Sequence, residues 1–380
     1  MLLVARKNLF SERTRLAISV GGVALSVFLI SLLLSLYRGW DEKVGGFVEK
    51  TNVDIWVGST GTNDFLTAAS IIPLDNSHLL DAIPEIKAWS PLIVRPMTGV
   101  KVEFPERSDK EAEGTKMDMH LIGFDPEKGL AGPIKMVEGN GKPGPNEVIV
   151  DEALASHYGI NLNDIISAGG KRWTVSGISE GGDFVASQTV FVSLKQAQTA
   201  LQMEGLATFI VMQLADGVDP DEFAAEAETQ VPQAAAFTKA EFTESTRDVV
   251  LGDILPILSI VLALAFIVGL AVSGLTIYTA TIEKGREYGI IKAVGFKNTY
   301  LYRLVFEQAL VTGALGFVIG VSLTLAFGRL AADQVPQFVT LVRWQDLLVV
   351  FGATIVMSLA AGYVPVRRLA AIDPVEAFKA

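Results

Sequence analysis

Cysteine is absent from the 380-residue chain, histidine occurs three times, and basic residues are outnumbered, 31 against 42 acidic. Without cysteine there are no disulfide staples, no thiolate metal sites and no cysteine nucleophile, and the redox compartment is left open. His78, His120 and His157 are scattered, with no metal-ligand spacing among them, and read as ordinary surface or half-buried residues. A net charge of −11 excludes a nucleic-acid binder that works through a basic field. The string Asn140-Gly141-Lys142-Pro143 lacks the upstream glycine of a phosphate loop, and Pro143 stands where Ser or Thr would hold magnesium. No other such loop and no catalytic constellation occurs, so no enzymatic activity is expected of this chain itself.

Charge is also missing locally. Half the residues are hydrophobic and the mean hydropathy is +0.40, high for a chain that buries its apolar side chains only in a soluble core. A hydrocarbon layer about 30 Å thick needs roughly 20 apolar residues at helical rise. Four charge-free stretches meet that length: 16–37, 254–282, 308–328 (in a span placed at 304–328) and 347–366. The first, preceded by Arg6, Lys7, Arg13 and Arg15, is longer than a signal-peptide core of about 7–15 residues and lacks a small-x-small cleavage site, so it is expected to be retained as an anchor. None of the four carries Asp, Glu, Lys or Arg at its centre, where a proton- or ion-driven carrier usually places ionisable groups. Energy for any transport is therefore expected to come from elsewhere.

Basic residues set the orientation. Residues 1–15, the connection 283–303 and the tail 367–380 hold Lys284, Arg286, Lys292, Lys297, Arg303, Arg367, Arg368 and Lys379 besides the N-terminal four. With four spans these segments share one side, expected to be the cytoplasm. Residues 38–253 and the loop 329–346 then face outward. Residues 38–253 carry 17 basic and 34 acidic side chains, net −17, against 14 and 8, net +6, elsewhere. Tyr37, Trp40 and Trp344 fall at the outer boundary.

The segment 38–253 is long enough for a domain with its own core. Val53, Ile55 and Val57 alternate with Asp54 and Trp56 as in a half-buried strand, and 173–178, 188–192 and 209–214 read similarly. Asp219-Pro220-Asp221-Glu222 opens a helix, Ser193-x-x-Gln196 is a capping box, Asp75 precedes a helix through Ile83, and Asp151-Glu152 opens a helix ending at Gly159. The expected fold is an integral membrane protein with four transmembrane helices and a large α+β extracytoplasmic domain between the first and second. Its core is placed at 51–240, with 38–50 and 241–253 as stalk or linkers and 105–116 as an exposed loop. One organisation sets a subdomain of about 100–185 inside another made of 51–99 and 186–240.

Between spans two and three, the sequence predicts a short amphipathic helix with Ile290, Ile291 and Val294 on one side, ended by Gly295 and followed by Asn298 as the next cap. Physics leaves two readings open: an interfacial helix holding the spans, or a lever docking on a cytoplasmic partner. Gly22-x-x-x-Ser26, Ser31-x-x-x-Ser35 and Gly316-x-x-x-Gly320 allow close helix approach, within the chain or across a dimer.

The run Glu283-x-x-Arg286-Glu287-x-Gly289-Ile290-x-Lys292-Ala293-x-Gly295 resembles the signature of the FtsX/MacB-like ABC transporter permeases. The ending Pro365-Val-Arg367-Arg368-x-Ala370-x-x-Asp373-Pro374-x-Glu376-Ala377 and the opening Ala5-x-Lys7-Asn8-Leu9 are similar to that family too, specifically over the last 130 residues or so and loosely in the outer domain. The resemblance implies a MacB-like periplasmic core domain at 51–240 and an FtsX-like permease domain at 254–380, in the bacterial plasma membrane. It implies a split-subunit type, akin to DevC and LolC, that forms a permease homodimer and pairs with a cytoplasmic ABC ATPase dimer. ATP and magnesium then belong to the partner, and a periplasmic adaptor and outer-membrane channel are conceivable additions. By the same resemblance Glu283, Arg286, Glu287, Gly289, Ile290, Lys292 and Gly295 form the coupling helix that seats on the ATPase. The implied function is coupling of ATP hydrolysis to movement of the outer domain on an amphiphilic cargo: lipid, lipoprotein, drug, peptide or haem. An FtsX-type signalling subunit that activates a cell-wall hydrolase, and an anchored receptor or scaffold without energy input, are the competing expectations.

Overall fold

The computed structural model describes residues 13–66, 69–103, 116–168, 170–184, 187–230, 233–252, 254–332 and 338–370. The opening family segment 5–9, the expected loop 105–116 except its last residue, and the closing family segment 365–377 from residue 371 onward lie outside them. The chain divides into two compact units, Trp40–Asp253 and Met1–Gly39 with Ile254–Ala380.

Helix α1 (Arg13–Val44) continues past the apolar run that begins it, and α2 (Gly46–Lys50) follows after Gly45. The strands and helices of the inter-span domain come next. They are β1 (Ile55–Ser59), β2 (Ile72–Pro73), β3 (Ile86–Glu103), β4 (Lys116–Phe124), β5 (Lys135–Gly139), β6 (Glu147–Asp151) and α3 (Glu152–Tyr158). After these come β7 (Ile165–Ala168), β8 (Lys171–Glu180), β9 (Asp183–Phe184), β10 (Ser187–Ser193), α4 (Leu194–Leu201), β11 (Leu206–Ala207) and β12 (Phe209–Leu214). The domain closes with α5 (Pro220–Gln230), β13 (Ala234–Thr238) and α6 (Lys239–Gly252).

Local chemistry accounts for most of these boundaries. Asp151 Oδ1 accepts from Ala153 N at 2.9 Å, and Gly159 ends α3 at φ 63°, a conformation glycine adopts without a Cβ penalty. Asp219 Oδ1 accepts from Asp221 N at 2.9 Å ahead of α5. Ser193 precedes α4 as expected but makes no side-chain cap bond. The stretch after Asp75 forms only a 3-10 turn, Ser77–Ala82, which buries none of its residues.

The main sheet runs β13-β1-β12-β3-β4-β10-β6-β8-β5, with β7 beside β3 and β8, and β9 beside β10. β3 joins its two halves: Leu92 pairs with Phe209 of β12, while Met97 pairs with Met119 of β4. β10 lies parallel to β4, with Val190 opposite Leu121. This corrects the expected subdomain split. Val190, Val192 and Ala197 are buried in one cluster with Val148, Val150 and Trp173, so 187–201 belongs with the β4–β8 half. Strand partners so far apart in sequence are not written in local alternation.

β1 also departs from expectation, for both its faces are buried. Ile55 and Val57 pack under α5 with Ala224 and Phe223, while Trp56 joins Phe47, Phe65, Phe209 and Phe242 on the other face. The polar residue that suggested a wet face, Asp54, lies outside the strand, and its Oδ2 accepts from Leu214 N at 2.9 Å.

His120 on β4 is half-buried, and its Nε2 lies 3.3 Å from the Leu66 carbonyl, to which it donates. Burial lowers its pKa from the ordinary 6.5, outweighing that carbonyl and the nearby Asp64 charge, which both raise it. The folded domain therefore resists a proton that the unfolded chain accepts near 6.5. The stabilisation is complete above that value and is lost as pH falls below it. We expect the unfolding midpoint of the inter-span domain to drop between about pH 7.5 and 5.5, and His120→Gln to reduce that drop.

The remaining elements are α7 (Ile254–Glu283), α8 (Gly285–Ala293), α9 (Asn298–Ala332) and α10 (Trp344–Ala370). α1, α7, α9 and α10 are each long and apolar enough to cross a membrane. They are inverted relative to soluble helices. Ala265, Gly269, Ser273, Ile277 and Thr281 of α7 form one buried stripe at four-residue spacing, while Ile257 and Leu275 are about two-thirds exposed.

Candidate coupling site

α7 stops at Glu283 because Lys284 leaves the helical path at φ −87°, ψ 9°. The chain turns at once into α8, with Tyr288 N donating to Lys284 O at 3.0 Å. Gly295 then takes φ 101° and donates its N–H to Lys292 O at 3.0 Å, a left-handed stop that a Cβ would strain. α9 begins at Asn298.

The seven positions drawn together by the family signature divide between the two faces of this short element. Glu283, Arg286, Glu287, Ile290 and Gly295 are exposed, Lys292 is half-buried and Gly289 is buried. Ile290 is 43% exposed, Val294 74% and Phe296 49%. Two of the three apolar side chains expected on one face thus point away from the bundle, and the side chain of Ile291 lies outside the described residues.

What faces inward is Tyr288, 3% exposed, in a cluster with Ile277 of α7, Leu301, Leu304, Val305 and Ala309 of α9, and Ala361 and Val366 of α10. Sequence reasoning missed this residue. Its only signal was a lone aromatic in an otherwise charged helical turn.

The small residues lie at contacts within the chain. A Cβ on Gly22 would overlap the Val272 side chain of α7, and one on Gly269 would overlap Ser26 and come 2.6 Å from Met357 Sδ. On Gly316 it would lie 2.5 Å from Val23 Cγ1, and on Gly320 2.7 Å from Ala24 O and from Val27 Cβ. Ser31 is buried and its Oγ has no hydrogen-bond partner among the described residues. Ser35 Oγ donates to Leu32 O at 2.8 Å, and its carbonyl accepts from Leu341 N at 2.9 Å. Arg38 Nε and Nη2 donate to the Asp346 carboxylate at 3.2 Å, joining the far ends of α1 and α10. Neither residue was singled out in the sequence, where 308 positions separate them.

A profile of the MacB-like periplasmic core domain matches residues 16–230, and one of the FtsX-like permease C-terminal region matches 256–374. An uncharacterized ABC transporter permease of Mycobacterium tuberculosis strain H37Rv is 25% identical over 391 aligned positions, covering 100% of this chain and 99% of that protein. A probable syringafactin export ATP-binding/permease protein of Pseudomonas syringae pv. syringae is 24% identical over 57% of this chain and 34% of its own length. Among solved structures, the periplasmic region of MacB from Actinobacillus actinomycetemcomitans aligns with a TM-score of 0.37 at 10% identity, covering 51% of this chain and 94% of that one. The first profile spans more than half the chain, and the chain belongs to the FtsX/MacB-like ABC transporter permeases.

Proposed function

We propose that this permease seats a cytoplasmic ABC ATPase on α8 and passes the ATPase cycle to the inter-span domain outside the membrane, where an amphiphilic cargo is moved. A permease homodimer facing an ATPase dimer is the assembly this reading requires. The observation that carries it is the exposed apolar group of Ile290 on α8 with Val294 and Phe296 just past its end, beside the buried Tyr288. The basic excess of the segments beside α8 supports a cytoplasmic side for it, with the acidic domain on the other.

Co-purification tests the reading. Val294→Asp and Ile290→Asp put a carboxylate where an apolar anchor would be desolvated, so each is expected to cost about 2 kcal/mol or more, roughly thirtyfold in Kd. Both positions are exposed, so the thermal midpoint of the permease alone should hardly move. Unchanged ATPase retention by both variants, or no ATPase bound by the unmodified chain, would refute the proposal.

A further inference from the structure

We infer that Tyr288 is a positioning residue that transmits movement of α8 to the membrane spans, separately from the face that docks the ATPase; the inference rests on the seating proposed above. α8 is tied covalently to α7 through Lys284 and to α9 through the left-handed Gly295. Its connection to α10 is of a different kind, because α10 follows only after the whole of α9. Tyr288 supplies the missing link: one 3%-exposed aromatic shares a cluster with Ile277 of α7, Leu301 and Val305 of α9, and Ala361 and Val366 of α10. It sits near the middle of α8, away from both end connections.

A helix held only at its two ends can turn about them when its outer face is pushed. A bulky ring set in a close-packed cluster prevents that, since packed interiors displace together instead of yielding locally. Force applied at Ile290, Val294 and Phe296 thus leaves through Tyr288 into three spans. The chain separates gripping the partner from passing on its motion, with different residues for each.

The test uses the full chain co-purified with its ATPase in nanodiscs. The native sequence has no cysteine, so a single Glu204→Cys at an exposed turn of the inter-span domain carries a spin label. The readout is the label's spectral change on adding Mg-ATP with vanadate. Tyr288→Ala is expected to keep the ATPase bound and hydrolysing, while the label response falls about fivefold or more, the size of a modest coupling between sites. Tyr288→Phe, which keeps the ring, should restore the response, and Leu301→Ala should reproduce the loss from the facing helix. Should Tyr288→Ala fail to assemble, Tyr288→Leu is read in the same way.

A wild-type label response in the alanine and leucine variants overturns the inference. So does release of the ATPase to the extent seen with Val294→Asp, which would make Tyr288 part of the docking face. Either result leaves the proposed function standing. Absence of ATPase from the unmodified complex removes both.

Discussion

Gly320→Val is expected to cost the membrane bundle about 3 kcal/mol or more, the upper range for overpacking a tight contact. A Cβ at this position meets the Ala24 carbonyl oxygen at 2.7 Å and Val27 Cβ at 2.7 Å. The first of these is backbone within α1, so it cannot rotate aside as a flexible side chain would. α1 and α9 must separate, and their separation loosens the neighbouring contact between Gly316 and Val23. In lipid no hydrophobic force compensates, because the surrounding tails are as apolar as the helices; close van der Waals packing carries the association. Gly320→Ala should show the same direction with a smaller loss. Gly21→Ala and Gly352→Ala are the controls, since a Cβ at either meets nothing within 4 Å. Thermal unfolding in detergent, followed by the monodisperse fraction, reads the series. Equal midpoints for Gly320→Val and Gly352→Ala would mean that the α1–α9 contact contributes nothing.

The parts of this molecule that were legible in the sequence are those decided by local chemistry. The charge-free runs located α1, α7, α9 and α10, because a lipid-facing helix must be apolar around much of its circumference. Asp151 with Gly159 and Asp219 with Pro220 announced helices whose caps depend on neighbours two or three residues away. Capping patterns were less reliable for the bond than for the helix. Ser193 occupies the N-cap of α4 without bonding through its side chain, and Gln196 Oε1 is buried with no partner among the described residues. What local pattern could not reveal was pairing at long range. The parallel match of β10 to β4, the burial of both faces of β1, and the Arg38–Asp346 ion pair each join segments that share no periodicity. The short helix α8 falls between the two cases. Its bounds were readable from Gly295 and its signature, but its facing was not: the amphipathic pattern set Ile290 and Val294 on one side without saying whether that side met the spans, and the buried Tyr288 takes the interior while they are exposed.

Trp56→Ala is expected to be the most damaging single change in the inter-span domain, at about 3–5 kcal/mol for a large aromatic removed from a filled core. The indole is wholly buried, 5.5 Å from the Phe65 ring, 5.8 Å from Phe209 and stacked 5.3 Å from Phe242. It joins β1, β12, the 60–66 loop and α6, so its loss opens a cavity where four segments meet. Burial is not the whole of its energetics. Trp56 Nε1 has no hydrogen-bond partner among the described residues, and an unmet buried donor costs roughly 1–3 kcal/mol. Trp56→Phe discards that donor together with part of the ring, and the two effects oppose each other. We therefore expect the phenylalanine variant to lie within about 1 kcal/mol of the parent, far from the alanine variant. The chain contains two compact units, so a single global midpoint would mix two transitions. Hydrogen exchange of the β1 and β12 amides in nanodiscs isolates the relevant one. Alanine should erase most of their protection, and phenylalanine should leave it nearly intact. Similar loss in both variants would show that Nε1 is satisfied in solution and that the indole is held by more than its area.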